Sequence, residues 1–362
     1  MSTLKVNKIE HTSTTDGGVS IDSSGNVTLP ANTKVGTQNL PSSGPLSNRN
    51  LIINGNFAIN QRGGSNTTIN TYALDRWRSY GGPMGFTISQ QDVLSTLSTS
   101  RYAMRFQRTS GNTQTNNTGV VQGIESKNCE GLAGTQLTLS FKARAGADLS
   151  SDLDARFFYG TGTDENPVSM TGMTNDGGTD FTLTTSFATY TKTVTVPAGT
   201  TQISLTFAVT PTGTAGTNDW FEIAEVQVER GSVATPFEHR SYGDELARCQ
   251  RYYQVCIRNE EFVTSCVNSA SGANTGLAFV NEMRVAPTVT LATAGSSAGN
   301  IAFLTTVGNT PSTIGSHQAL SITTYGFRFR ASGYSASGWT AGAASNVYAY
   351  NTATVYTASA EL

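Results

Sequence analysis

Apolar residues in this chain fall at every second position. Leu137, Leu139 and Phe141 alternate with polar neighbours, and so do Ile203, Leu205, Phe207 and Val209. A period of two sends successive side chains to opposite faces, so these runs build half-buried antiparallel sheet and not helix. Turn residues close them: Val194 and Val196 end at Pro197-Ala198-Gly199. Only 37% of residues are hydrophobic and 13% are charged, while 37 are glycine, which spreads the apolar groups over many short strands. The chain is therefore expected to be mainly β, with an antiparallel sandwich as its principal unit.

The pattern divides the sequence into four. Residues 1–46 carry short alternating runs, Val19 with Ile21 and Val27 with Leu29, separated by the turn Asp22-Ser23-Ser24-Gly25. So small a segment buries no core alone. Residues 47–240 hold the sandwich. In Phe221-Glu222-Ile223-Ala224-Glu225-Val226-Gln227-Val228 the alternation changes phase at Ala224-Glu225, which predicts a β-bulge. Residues 241–257 read as a helix, with Ser241 as cap and Asp244 at the capping-box position. Its stripe of Tyr242, Leu246, Cys249, Tyr253 and Cys256 must pack on something, either the same subunit or two further copies in a trimer junction. Residues 258–362 return to strands and form a second, C-terminal β domain, small for a stable monomer.

Charge and motif spacing narrow the chemistry. A formal net charge of −2 gives no field that draws the chain to nucleic acid. Arg76 with Arg78, and Arg328 with Arg330, alternate with aromatics and read as solvated faces. No run of apolar residues is long enough to cross a membrane, and the start Met1-Ser2-Thr3 lacks an apolar signal segment, so synthesis in a cytoplasm with reduced thiols is expected. Cys129, Cys249, Cys256 and Cys266 form no CxxC pair. His11, His239 and His317 lie far apart, His239 in a packing position and His317 in an expected loop. Gly295-Ser296-Ser297-Ala298-Gly299 matches a nucleophile elbow by letter but lacks the helix that motif needs. Acid pairs in turns, Asp152/Asp154, Asp164/Glu165 and Asp176/Asp180, are the material for glycoside cleavage if a sugar cleft brings two carboxyls to about 5–10 Å. No catalytic residue is assigned, and the chain is expected not to be an enzyme.

Several segments resemble tail-fibre proteins of tailed bacteriophages, especially those of cyanobacteria and other aquatic hosts. Leu4-Lys5-Val6-Asn7-Lys8-Ile9 is similar to their amino-terminal attachment segment. Asn50-Leu51-Ile52-Ile53-Asn54-Gly55-Asn56-Phe57 with Leu74-Asp75-Arg76-Trp77 resembles the opening of a jelly roll related to carbohydrate-binding modules. Val226 to Gly231 and Thr235-Pro236-Phe237-Glu238 resemble its last strand and exit. Leu246 to Tyr253 is similar to the helix that follows, and Met283 to Val289 to the distal domain.

The resemblance implies a homotrimer held on the tail or a baseplate adaptor by residues 1–46, with a jelly roll over 47–240 and a receptor-binding tip over 258–362. It implies non-covalent attachment to host surface polysaccharide on a virion made in the host cytoplasm. A capsid decoration or tail scaffold protein without a ligand is the alternative, and a glycan depolymerase the third reading. Sugar rings pack on aromatic faces, which nominates Tyr325, Tyr334, Trp339, Tyr348 and Tyr350 in the distal domain. Tyr159 and Trp220 are nominated in the jelly roll, with Tyr80 beside them, whereas Trp77 reads as core. Related modules often hold a structural calcium. Here Ala58 replaces the acid after Phe57, leaving Glu222 and Glu225 as candidate ligands.

Overall fold

The computed structural model describes residues 48–269, 272–293, 301–305, 311–312, 316–332 and 344–362, with five short strands between residues 8 and 39. Of those five, Lys8–Ile9, Val19–Ile21 and Val27–Thr28 pair antiparallel in one small sheet, and Lys34–Val35 pairs with Gln38–Asn39.

Two antiparallel sheets then make the jelly-roll sandwich. One runs in the order Thr174–Asn175, Leu153–Gly160, Gln202–Val209, Thr118–Ile124, Trp77–Gly81, Tyr72–Leu74. The other runs Ala188–Thr195, Gln136–Ala145, Trp220–Arg230, Tyr102–Arg108, Phe86–Asp92. The alternating residues meet between them. Trp77 is fully buried, with its ring centroid 5.3 Å from Phe57 and 6.2 Å from Phe207, which in turn lies 4.9 Å from Phe141. Each large apolar side chain removed from water in this way contributes about 1.5–3 kcal/mol.

The expected bulge is present. Ser140 faces Gln227, but Lys142 faces Ala224, so the strand Trp220–Arg230 carries one extra residue there, with Glu225 at φ +51°. The segment Asn50–Phe57 is threaded against it. Asn50 donates to the Val226 carbonyl and accepts from the Val228 amide, while the Val226 amide donates to the Gly55 carbonyl. A Cβ on Gly55 would stand 2.1 Å from the Val226 oxygen, so only glycine fits.

The helix begins as expected but ends early. Ser241 accepts from the Asp244 amide and donates to its carboxylate, and the helix runs over Tyr242–Gln250 only. Tyr253 and Cys256 belong to the next strand, Tyr253–Ser269, so the five-residue stripe is not one helical face. Cys249 and the half-buried Leu246 pack on Ile53, Ile59 and Tyr252 of the same chain, and Tyr242 stays exposed. Of the two expected roles, docking on the same subunit is the one these contacts serve.

The third sheet follows the order Pro311–Ser312, Ile301–Thr305, Ala344–Ser359, Tyr253–Ser269, Gly272–Ala278, Gly326–Ser332, Ser316–Leu320, with Thr288–Leu291 also pairing Ala344–Ser359. Its own core includes Phe279, Met283, Phe327, Phe329 and Tyr356. Charged contacts fasten it to the sandwich: Arg251 to Glu125, Arg284 to Asp164, and Arg62 and Arg76 to Glu361. Arg76, expected on a solvated face, is thus buried, its guanidinium 3.6 Å from the centre of the Tyr252 ring.

Candidate functional site

The strands Gly272–Ala278 and Gly326–Ser332 place Arg328 opposite Gly276 and Arg330 opposite Asn274. Phe327, Phe329 and Ala331 point into the core, so both arginines stand on the outer face, exposed. Gly276 leaves the backbone bare near Tyr325, while Gly326 lets its strand approach Leu277, whose carbonyl oxygen would stand 2.4 Å from a Cβ there. The result is a shallow groove of about 760 Å³, lined by Asn274, Gly276, Ala278, Thr323, Tyr325 and Arg328 among others.

Tyr325 is 67% exposed, yet its backbone is held on both sides. Its amide donates to the Thr323 hydroxyl and its carbonyl accepts from the Phe279 amide. The Tyr325 hydroxyl hydrogen-bonds Glu282, and that bond and the carboxylate's charge raise the phenol pKa. A ring fixed in this way offers an apolar face to a ligand at little ordering cost. The Asn274 side-chain oxygen is buried and, among the described residues, has no hydrogen-bond partner.

The other nominated residues are placed less favourably. Tyr159 is buried in the sandwich core, stacked on Phe157, so it is no binding residue. The alternation Leu153, Ala155, Phe157, Tyr159 already puts it on the inward face. Trp220 is half-buried, with the Arg105 guanidinium 4.2 Å from its ring centre and its edge against Gly146, which takes up the ring face a sugar would need. Tyr334 and Trp339 lie outside the described residues, as do the side chains of Tyr348, Tyr350 and Cys266. His11 and the Gly295–Gly299 motif lie outside them too.

The candidate calcium ligands have other partners. Glu222 is fully buried; Arg105 takes one carboxylate oxygen at 2.6 Å and Arg144 the other at 2.6 Å. Glu225 meets Lys142 at 3.1 Å. Two guanidinium partners occupy both Glu222 oxygens, so Glu222 does not fit a calcium site, whereas Glu225 has Lys142 on one oxygen only. Among the described residues, no three His, Cys, Asp or Glu side chains are grouped to hold a metal.

A second cleft, of about 680 Å³, opens on the outer face of the five-stranded sheet between Lys142, Thr189, Glu225, Phe237 and His239. Its two charges are paired with each other: Lys142 holds one oxygen of Glu225 and donates to Thr99 at 2.7 Å. Any ligand there must first break those bonds. His239 packs edge-on against Phe237, the expected structural role. His317 lies in the strand Ser316–Leu320, not a loop, with its ring against Phe329.

The acid pairs disperse. Asp164 binds Arg284, Asp176 binds Lys192, and Glu165 binds Thr171 and Gln202. Asp154 lies in a strand directly opposite Asp180, but it is bonded to Arg156 at 3.0 Å. The Cys129 and Cys249 thiols are buried, which pushes Cys129 up to about 12 and Cys249 well up, so neither is a nucleophile at neutral pH. Among the described residues, no helix is long and apolar enough to cross a membrane.

No protein-family model and no curated protein sequence matches the chain. Among solved structures it is similar to the enzymatically active domain of bacteriophage CBA120 tailspike protein 4, at 16% identity and a TM-score of 0.35 over 50% of this chain and 21% of that one. A CBM4 structure aligns with 19% identity and a TM-score of 0.31, covering 49% of this chain and 98% of the module. TmCBM61 bound to β-1,4-galactotriose aligns with 15% identity and a TM-score of 0.31, over 51% of this chain and 99% of that one. At such scores these likenesses carry no argument about what the chain binds.

What sequence alone missed is the groove. Alternation did put Arg328 and Arg330 on one face, but nothing in the order of residues said that Gly276 and Asn274 would lie opposite them.

Proposed function

We propose that this chain is a non-enzymatic attachment protein that captures cell-surface glycan through the groove beside Tyr325. A homotrimeric tail-fibre subunit of a phage virion, held on the tail or a baseplate adaptor by residues 1–46, is the setting that the sequence resemblance supports. One observation carries the binding role: an exposed aromatic ring on a fixed backbone beside a glycine-floored groove that also offers Arg328 and Asn274. Sugar recognition needs this combination, an apolar face for the ring and directional partners for the hydroxyls. Three copies on one fibre would multiply a weak single-site affinity through avidity.

The test is an array of bacterial surface polysaccharides probed with the full chain and with Tyr325→Ala. Retention of at least one glycan, weakened about tenfold or more by the substitution, is expected. An array with no retention favours the ligand-free scaffold reading. Release of new reducing ends from a retained glycan, abolished by Asp154→Asn, would replace attachment with depolymerisation.

A further inference from the structure

Resting on the glycan-binding reading of the same groove, we infer that its ligand is an anionic polysaccharide, one bearing carboxylate or sulfate groups. Most arginines here already have a carboxylate: Arg76, Arg105, Arg108, Arg144, Arg251 and Arg284 each meet one. Arg328 and Arg330 differ. Both are exposed, and among the described residues neither has a carboxylate partner. Two positions apart on one strand, they project from the same face at a spacing of about 7 Å. Planar guanidinium groups match carboxylate and sulfate oxygens with paired N–H donors, a geometry that neutral hydroxyls use less well.

The surroundings support the assignment. Gly276, across from Arg328, has nothing within 4 Å of where its Cβ would be, so a ligand can approach the guanidinium from the sheet side. Asn274, across from Arg330, is an uncharged neighbour, so no carboxylate stands opposite that guanidinium on the paired strand. Glu282 is the carboxylate near the groove, and it is engaged by the Tyr325 and Thr324 hydroxyls. The groove thus presents the Tyr325 ring and Arg328, with Arg330 beside it on the same outer face.

Calorimetric titration of the full chain with matched pairs tests this: oligogalacturonate against its methyl ester, and a sulfated glycan against its desulfated form. At least one charged member is expected to bind about tenfold or more tightly than its neutral partner. Arg328→Gln/Arg330→Gln should remove that difference, and raising salt from about 0.05 to about 0.5 M should weaken the charged member alone. Charged and neutral members binding equally, or glycans of the array binding with no preference for charge, overturns the inference and leaves glycan attachment standing. Absence of any glycan binding removes both. The two arginines are exposed, so melting temperature verifies that the variant is folded.

Discussion

Arg76 and Glu361, 285 positions apart in sequence, form an ion pair in which the arginine side chain is 1% exposed and the glutamate 5%. Arg76 stands on the sandwich and Glu361 follows the last strand of the C-terminal sheet. Arg62 reaches the other carboxylate oxygen at 2.8 Å, and Arg76 also donates to the Gly123 carbonyl at 2.7 Å. The two β domains are held together by charge taken out of water.

Removing one partner of such a pair strands the other. Glu361→Gln should cost about 3–5 kcal/mol in chemical denaturation, because Arg76 keeps its charge in a buried site. Arg62→Gln, at the more exposed side of the same carboxylate, should cost distinctly less. Equal small losses from both would remove the charge lock as a stabilising element.

Acid should loosen the same junction. Burial by itself pushes the Glu125 carboxyl up, but hydrogen bonds from Arg251 and Tyr252 outweigh it and hold the group below its ordinary range. With the folded value below the unfolded value of about 4.3, the contribution is whole above that pH. It is lost as pH falls through the folded value. Unfolding free energy followed from pH 6 to pH 2 should fall less steeply in Glu125→Gln than in the parent chain.

Glu222 gives a test of the calcium expectation. Calcium or a chelator should leave the melting temperature of the parent unchanged. Glu222→Gln, which leaves Arg105 and Arg144 without their shared counter-charge, should lower stability by about 2–4 kcal/mol. A rise in melting temperature with calcium would contradict the arginine clamp as the structural solution.

Oligomeric state tests the proposed homotrimer. Tyr242, Val280 and Val285 remain 65%, 71% and 43% exposed, apolar surface of the kind an interface covers. Native mass spectrometry is expected to give three times the mass of one chain, with Tyr242→Asp shifting the population toward the monomer. Leu246→Asp instead strikes the contact with Ile53 and Ile59 inside the chain and should lower stability first.

Order along the chain determined whatever depends on near neighbours. Period-two alternation specified the sheets and their inward faces, and the run Leu153, Ala155, Phe157, Tyr159 obeys it. The phase change at Ala224-Glu225 specified the bulge, and Ser241 with Asp244 specified where the helix starts, because each feature is set by residues only a few positions apart. The helix end was different. The stripe ran on to Cys256, but Arg251 turns to Glu125 and Tyr253 starts pairing with Ser359, partners more than a hundred residues away.

Only the tertiary structure decided which charges are buried and which are free. Arg76 and Arg328 sit in similar alternating contexts, yet one is sealed against Glu361 and the other is left open over Gly276. The energy of a charge depends on the dielectric and the counter-charge around it, and both come from segments distant in sequence. The antiparallel sandwich could therefore be read from the chain, while the groove beside Tyr325 came into view only when strands from separate parts of the sequence were laid side by side.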